Sequence, residues 1–142
     1  MKPLKLYFED LNEGDLSPEL IIDEVTRTMI VKYAGASGDF NPIHHDEVFA
    51  KEANLPTIFA MGMMNAGFVA HLVQDWLGIE NITKYSVKFR ERVWPGDQLK
   101  CVGKVLSKDE ASKTVQVALT MVNQNDRPTI QATATAKLPV RC

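Results

Sequence analysis

The chain has 142 residues, with 16 Lys plus Arg against 18 Asp plus Glu and a formal net charge of -2. That length suits one domain with a real core rather than two, and so balanced a charge leaves no electrostatic footprint for nucleic acid or an anionic membrane. Its two cysteines, Cys101 and Cys142, form neither a disulfide framework nor a metal-ligand spacing, so reduced thiols are expected. The opening stretch "MKPLKLYFEDLNEGD" lacks the apolar run of a signal peptide, and no later segment approaches the roughly 18 uncharged apolar residues of a membrane span. The expectation is a soluble, cytoplasmic protein.

Residues 18 to 25, "PELIIDEV", read as a short strand. A first helix follows behind Thr26 as its N-cap, with Met29, Ile30, Tyr33 and Ala34 at helical spacing. Gly35 and Gly38 weaken it, and Pro42 biases Asn41 away from helical angles, which makes residues 37 to 45 an ordered loop. Asp46 then caps a short helix, "EVFAKEA", ended by Asn54 and Pro56. After the connector "LPTIFAMG" comes the longest helix, Gly62 to Leu77, whose stripe of Met63, Ala66, Gly67, Ala70, Val73 and Leu77 is expected to face a sheet. The small middle of that stripe allows close approach.

The remaining half alternates apolar and polar residues: Tyr85, Val87, Phe89; Leu99, Cys101, Val105; Val115, Val117, Leu119, Met121; and Ile130, Ala132, Ala134, Ala136, Leu138. "WPGDQ" at 94 to 98 and "SKDEAS" at 107 to 112 carry turn chemistry for antiparallel neighbours. One helix with a small-residue face and a long antiparallel sheet imply an α+β domain in which the sheet wraps the helix, a hot dog architecture. Ala132, Ala134 and Ala136 bury little area at about 25 cal/mol per Å², so a partner subunit is expected to close a pocket or a sheet edge.

The loop "SGDFNPIHHD" places Asp39 and His44 five positions apart with Asn41-Pro42 between them. A carboxylate that orients an imidazole prepares it for proton transfer near neutral pH. Ser37 and Asn41 can pin such a loop through side-chain to backbone bonds, with Gly38 opening it. The same residues suit a plain tight turn, with His45-Asp46 as a helix cap. A metal site from Asp39, His44, His45 and Asp46 is disfavoured because adjacent histidines in extended chain point apart. His71 reads as a packing or surface histidine, and Met61, Met63 and Met64 as core or pocket lining.

The run "YAGASGDFNPIHHDEVFA", with "IFAMGM" at 58 to 63, resembles the signature of the MaoC-like dehydratases and (R)-specific enoyl-CoA hydratases. "FRERVWPGDQL" resembles that family's turn into its next strand, and the likeness spans essentially the whole chain. The resemblance implies that Asp39 and His44 are the catalytic dyad, His45 not being the family's histidine. It also implies that the Gly62 N–H stabilises charge on the thioester oxygen, and that the reaction interconverts trans-2-enoyl and (R)-3-hydroxyacyl thioesters without a cofactor or metal. The carrier is coenzyme A or acyl carrier protein. Two positions depart from the pattern: Met61 stands where many relatives have histidine, and Ala70 where some have serine. Both make the pocket mouth more apolar, and Met61 and Met63 are its candidate substrate-binding residues. Lys88, Arg90 and Arg92 either meet the phosphates of coenzyme A or form a solvated strand face. The alternatives are a hot dog thioesterase and a non-catalytic acyl-binding subunit of a heteromeric dehydratase; a homodimer is expected, with a heterodimer open.

Overall fold

The computed structural model describes residues 5–142; residues 1–4, part of the stretch read for a leader, lie outside the described residues. The elements run β1 (Leu20–Ile22), α1 (Arg27–Ser37), α2 (Glu47–Glu52), α3 (Gly62–Leu77), β2 (Ile82–Phe89), β3 (Leu99–Asp109), β4 (Thr114–Val122) and β5 (Pro128–Lys137), with 3-10 turns at Phe8–Asp10, Pro42–His44 and Ile79–Asn81. All strand pairs are antiparallel. They form one five-stranded sheet in the order β1-β3-β4-β5-β2, with α3 against it. This is the expected α+β hot dog arrangement. Among the described residues no helix is long and apolar enough to cross a membrane.

Local chemistry explains the helix ends. The Thr26 side chain accepts the Met29 N–H at 3.1 Å, and Gly38 closes α1 at φ 75°, its N–H donating to the Ala34 carbonyl. A left-handed cap of this kind costs glycine little. The Asp46 carboxylate accepts the N–H groups of Val48 and Phe49 at the start of α2. At the β2–β3 connection, Trp94-Pro95-Gly96-Asp97 turns with Gly96 at φ 92° and the Asp97 N–H on the Trp94 carbonyl at 3.1 Å, the pattern in which proline and then glycine suit the two central positions.

Asp97 does more than turn the chain. It is 6% exposed, and its carboxylate accepts the Trp94 N–H and the Gln124 side-chain amide, both at 2.9 Å. Its carbonyl accepts the Val25 N–H. One side chain and its backbone thus join the β2–β3 turn, the β4–β5 turn and the start of α1.

Four expectations change. The first strand is only Leu20–Ile22, because beyond it the Val25 N–H bonds Asp97 rather than a strand neighbour. Helix α3 is turned by roughly a quarter rotation, at 100° per residue, from the expected stripe. Asn65, Ala66, Val69, Leu72, Val73 and Leu77 are buried, whereas Met63 is 63% exposed and Gly67 is exposed. The reason is area: Val69, Leu72 and Leu77 remove far more apolar surface from water than glycine and alanine do. Phe89 shares the inner face of β2 with Tyr85 and Val87 yet is 54% exposed. Finally, Ala132, Ala134 and Ala136 leave no gap of their own, being at most 5% exposed; their small size lets helix and sheet close together. Of the pocket or sheet edge expected to await a partner, the edge is open: β2, and the short β1 at the other side, end the sheet with one side unpaired among the described residues.

The two cysteines separate cleanly. Burial pushes the Cys101 thiol up to about 12, while Cys142 is exposed. Thiolate is the reactive form, so alkylation of the native protein at pH 8 should label Cys142 alone. Rapid labelling of Cys101, read by peptide mass, would contradict this packing. Helix and sheet also meet tightly at Gly103, where an added Cβ would lie 2.7 Å from Trp76 Cζ3 and 3.3 Å from Leu119 Cδ2. Gly103→Ala is therefore expected to destabilise the protein by about 1–3 kcal/mol in denaturant unfolding.

Candidate active site

The loop between α1 and α2 is built from a chain of short side-chain to backbone bonds. Ser37 Oγ donates to the Tyr33 carbonyl at 2.7 Å and accepts the Asp39 N–H at 3.2 Å. Asp39 Oδ1 accepts the Asn41 N–H at 3.3 Å, and Asn41 Oδ1 accepts the Ile43 N–H at 3.2 Å. Pro42 then occupies the first position of a 3-10 turn that ends at His44, where its missing N–H leaves no bond unmade. Each short polar side chain holds the backbone N–H two residues on. The loop expected at 37 to 45 is thus ordered, with Ser37 as the last helical residue and residues 42–44 as the turn.

That turn carries His44 inward. The side chain is 10% exposed, and its Nε2 lies 3.9 Å from Asp39 Oδ2, whose side chain is 44% exposed. On the other side of the ring, Nδ1 lies 2.6 Å from the Phe59 carbonyl. A carbonyl only accepts, so Nδ1 carries the proton in this bond, and in neutral imidazole Nε2 is left with a lone pair. The Phe59 ring meets His44 edge-on at 5.0 Å and Trp94 at 5.8 Å. His45 takes no part: its Nε2 faces the Phe40 carbonyl at 3.2 Å.

The connector that presents Phe59 is itself tied at both ends. Ala60 N–H donates to the Val93 carbonyl at 2.9 Å. Thr57 donates to Glu47, which also pairs with Arg27 at 2.6 Å. These bonds hold the Glu47 carboxyl below its ordinary range, Thr57 first and Arg27 second.

Gly62 begins α3 directly after the connector, with Met61 as an N-cap that makes no side-chain cap. No acceptor for the Gly62 N–H occurs among the described residues. Gly62 lines a cavity of about 160 Å³ together with Phe59, Ala60, Asn65, Phe89, Arg90, Glu91, Arg92 and Thr129. The helix dipole favours developing negative charge at this end. A Cβ on Gly62 would meet the Phe89 ring at 3.0 and 3.1 Å, so the absence of a side chain is what leaves room between helix and strand.

The sequence candidates are placed as follows. Asp39 and His44 come together, and Phe59 links them to the Gly62 cavity through its carbonyl on one side and its wall position on the other. Met61 is 2% exposed in the core, as is Met64 at 5%, whereas Met63 lies on the surface. Ala70 lines a separate apolar groove of about 280 Å³ with Val73, Ile82 and Tyr85. Arg90 bonds Gln131 at 2.7 Å, and the Arg92 guanidinium lies 5.1 Å over the Phe59 ring, so both stand at the cavity rim. His71 is a surface residue paired with Asp75. Sequence reasoning missed Phe59, whose role lies in a backbone carbonyl and so has no side-chain signal. It also missed Asn65, the lone amide on the buried face of α3.

Comparison with known proteins bears on the family and the fold. The model of the MaoC like domain matches residues 16–126. An (R)-specific enoyl-CoA hydratase of Rhodospirillum rubrum is 29% identical over 138 residues, covering 95% of this chain and 93% of that protein. The fatty acid synthase subunit beta of Saccharomyces cerevisiae is 34% identical over 86 residues, 58% of this chain; the match spans 4% of that subunit's length. In structure, the R-hydratase PhaJ1 of Pseudomonas aeruginosa superposes with a TM-score of 0.86 at 22% identity, covering 96% of this chain and 88% of that one, a likeness of fold. With the domain model matched over most of its length, this chain belongs to the MaoC-like domain family.

Proposed function

We propose that the protein is a lyase of the hydratase/dehydratase class that interconverts a trans-2-enoyl thioester and an (R)-3-hydroxyacyl thioester. The observation that carries the reading is the Asp39–His44 pair with Nδ1 committed to Phe59 and Nε2 turned towards the carboxylate. The 3.9 Å between Nε2 and Oδ2 is too long for a direct hydrogen bond and suits a reacting water that bonds both groups. Names of relatives point the same way, since they include an (R)-specific enoyl-CoA hydratase and a 3-hydroxybutyryl-CoA dehydratase.

The chemistry follows from those positions. His44 Nε2 takes a proton from the water as its oxygen bonds C3, while Asp39 orients that water. The C2=C3 electron pair moves towards the thioester carbonyl, whose oxygen gains negative charge beside the Gly62 N–H. Collapse of the enolate takes a proton at C2 from the pair, so one water supplies both added groups. Dehydration is the same path reversed. Ser37, Gly38, Asn41 and Pro42 hold the loop that keeps the dyad in place.

The carrier reading uses Arg90 and Arg92, two cations at the cavity rim that suit the phosphates shared by coenzyme A and the carrier-protein arm. Met63, exposed beside Gly62, and Ala70 in its apolar groove offer walls for an acyl chain, with Met61 supporting from the core. A homodimer fits the open edge of β2 and the exposed Met63 and Phe89 nearby. A cytoplasmic location belongs to the same reading.

Asp39→Asn and His44→Ala are each expected to lower turnover of crotonyl-CoA by roughly 10²–10⁴-fold. The loss of enoyl-thioester absorbance measures this, with the (R)-alcohol as wild-type product. Activity unaffected by either change rules out these roles, and release of free thiol from acyl-CoA would instead mark a thioesterase. Gly62→Ala pushes a methyl against the rim-exposed Phe89, which has room to yield. We expect roughly a 10-fold or greater fall in turnover with little change in melting temperature. Unchanged kinetics would remove Gly62 from the site.

A further inference from the structure

Asn65 is 3% exposed, and its Oδ1 is fully enclosed without a hydrogen-bond partner. Burying a carboxamide unpaired is unfavourable, and native proteins seldom leave one so. The residue lines the cavity of about 160 Å³ that Gly62 also lines. Other polar groups of that wall are already engaged: the Thr129 hydroxyl donates to the Met121 carbonyl at 3.1 Å, the Ala60 N–H to Val93, and the Arg90 Nε to Gln131. At the exposed rim Glu91 faces Arg127 and the Arg92 guanidinium stands over the Phe59 ring; beside the start of α3, the Gly62 N–H and the Asn65 carboxamide remain.

These two groups lie three residues apart on one helix, which puts them on the same face. Side chains of a helix lean towards its N-terminus, so the carboxamide of Asn65 reaches over the Gly62 end of α3. Oδ1 is held by no bond, and the amide turns through 180° to present either a donor or an acceptor. A group that gains charge beside the Gly62 N–H needs a donor.

We propose that Asn65 is a substrate-contacting residue whose side-chain amide donates a second hydrogen bond, beside the Gly62 N–H, to the carbonyl oxygen of the bound acyl thioester. The assignment rests on the hydratase/dehydratase reading above and adds to it a side chain that the dyad motif does not contain. With the amide turned so that its nitrogen takes the place of the unpaired oxygen, its N–H finds a partner only when substrate is present. The free protein is less stable for carrying it, and the enolate-like transition state is more stable.

The experiment compares wild type with Asn65→Leu and Asn65→Asp. Crotonyl-CoA is the reacting substrate, the saturated butyryl-CoA the binding probe, and melting temperature the control for folding. Removing an oxyanion donor costs on the order of 100-fold in kcat, and that fall is expected for Asn65→Leu, with weaker butyryl-CoA binding and a melting temperature equal to or above wild type. Asn65→Asp, which keeps the shape but puts an anion near the developing charge, should lose at least as much, and it decides the matter if the leucine variant does not fold. The proposal is overturned if either folded variant keeps kcat and butyryl-CoA affinity within about twofold of wild type. It is also overturned if activity falls only in step with a lowered melting temperature. A wild-type protein that binds butyryl-CoA but never hydrates crotonyl-CoA fails the hydratase reading alone. Asn65 is then judged on the binding ratio, a ratio near one overturning it.

Discussion

The bond from His44 Nδ1 to the Phe59 carbonyl, 2.6 Å long, sets the conditions for everything else at the site. It fixes the imidazole plane, commits one nitrogen as donor and leaves the other facing Asp39. A histidine without such a partner rotates and samples both tautomers, and a base that is correctly placed only part of the time loses rate in proportion. The bond in turn needs the connector held still. That duty falls on the Ala60 bond to Val93 and, beyond it, on the buried Asp97 that locks the β2–β3 turn. The proton chemistry proposed for the loop therefore depends on a carboxylate that makes no contact with Asp39 or His44 in the hydrogen-bond network.

The two halves of the proposed reaction come from structures of different kinds. The acid-base pair sits on a loop of short bonds, each individually weak and mutually reinforcing. The donors proposed for the thioester oxygen sit on α3, a helix packed on the sheet whose buried residues include Val69, Leu72, Val73 and Leu77. Donors carried by a rigid element need no reorganisation as charge develops, which is where electrostatic stabilisation is most effective. An unpaired Asn65 and exposed Phe89 and Met63 all lie around this helix start. They are features a chain selected only for stability would avoid.

Much of this was legible in the sequence, for identifiable reasons. The alternation of Val115, Val117, Leu119 and Met121, and of Ile130 to Leu138, marked buried sheet faces because period-two patterning is enforced by geometry. Thr26, Asp46 and Gly38 mark helix ends because their chemistry is local. The nearness of Asp39 and His44 was legible because Asp39, Asn41, Pro42 and His44 fall within one short loop; their proposed catalytic role came from the family resemblance, since the residues alone equally suit a tight turn. The rotation of α3 was not, since small residues suggested a contact face that larger ones decided. Nor was Phe59: a main-chain carbonyl is common to every residue, and only the fold shows which one an imidazole reaches. Asn65 became informative only once the buried face was known.

The most direct test is the tautomer of His44, read from long-range ¹H–¹⁵N NMR correlations of the histidine-labelled protein, with His44→Ala used to assign its signals. A neutral ring protonated at Nδ1 with a bare Nε2 is the predicted state. A ring protonated at Nε2 would mean that no base faces Asp39, and would contradict the account at its foundation.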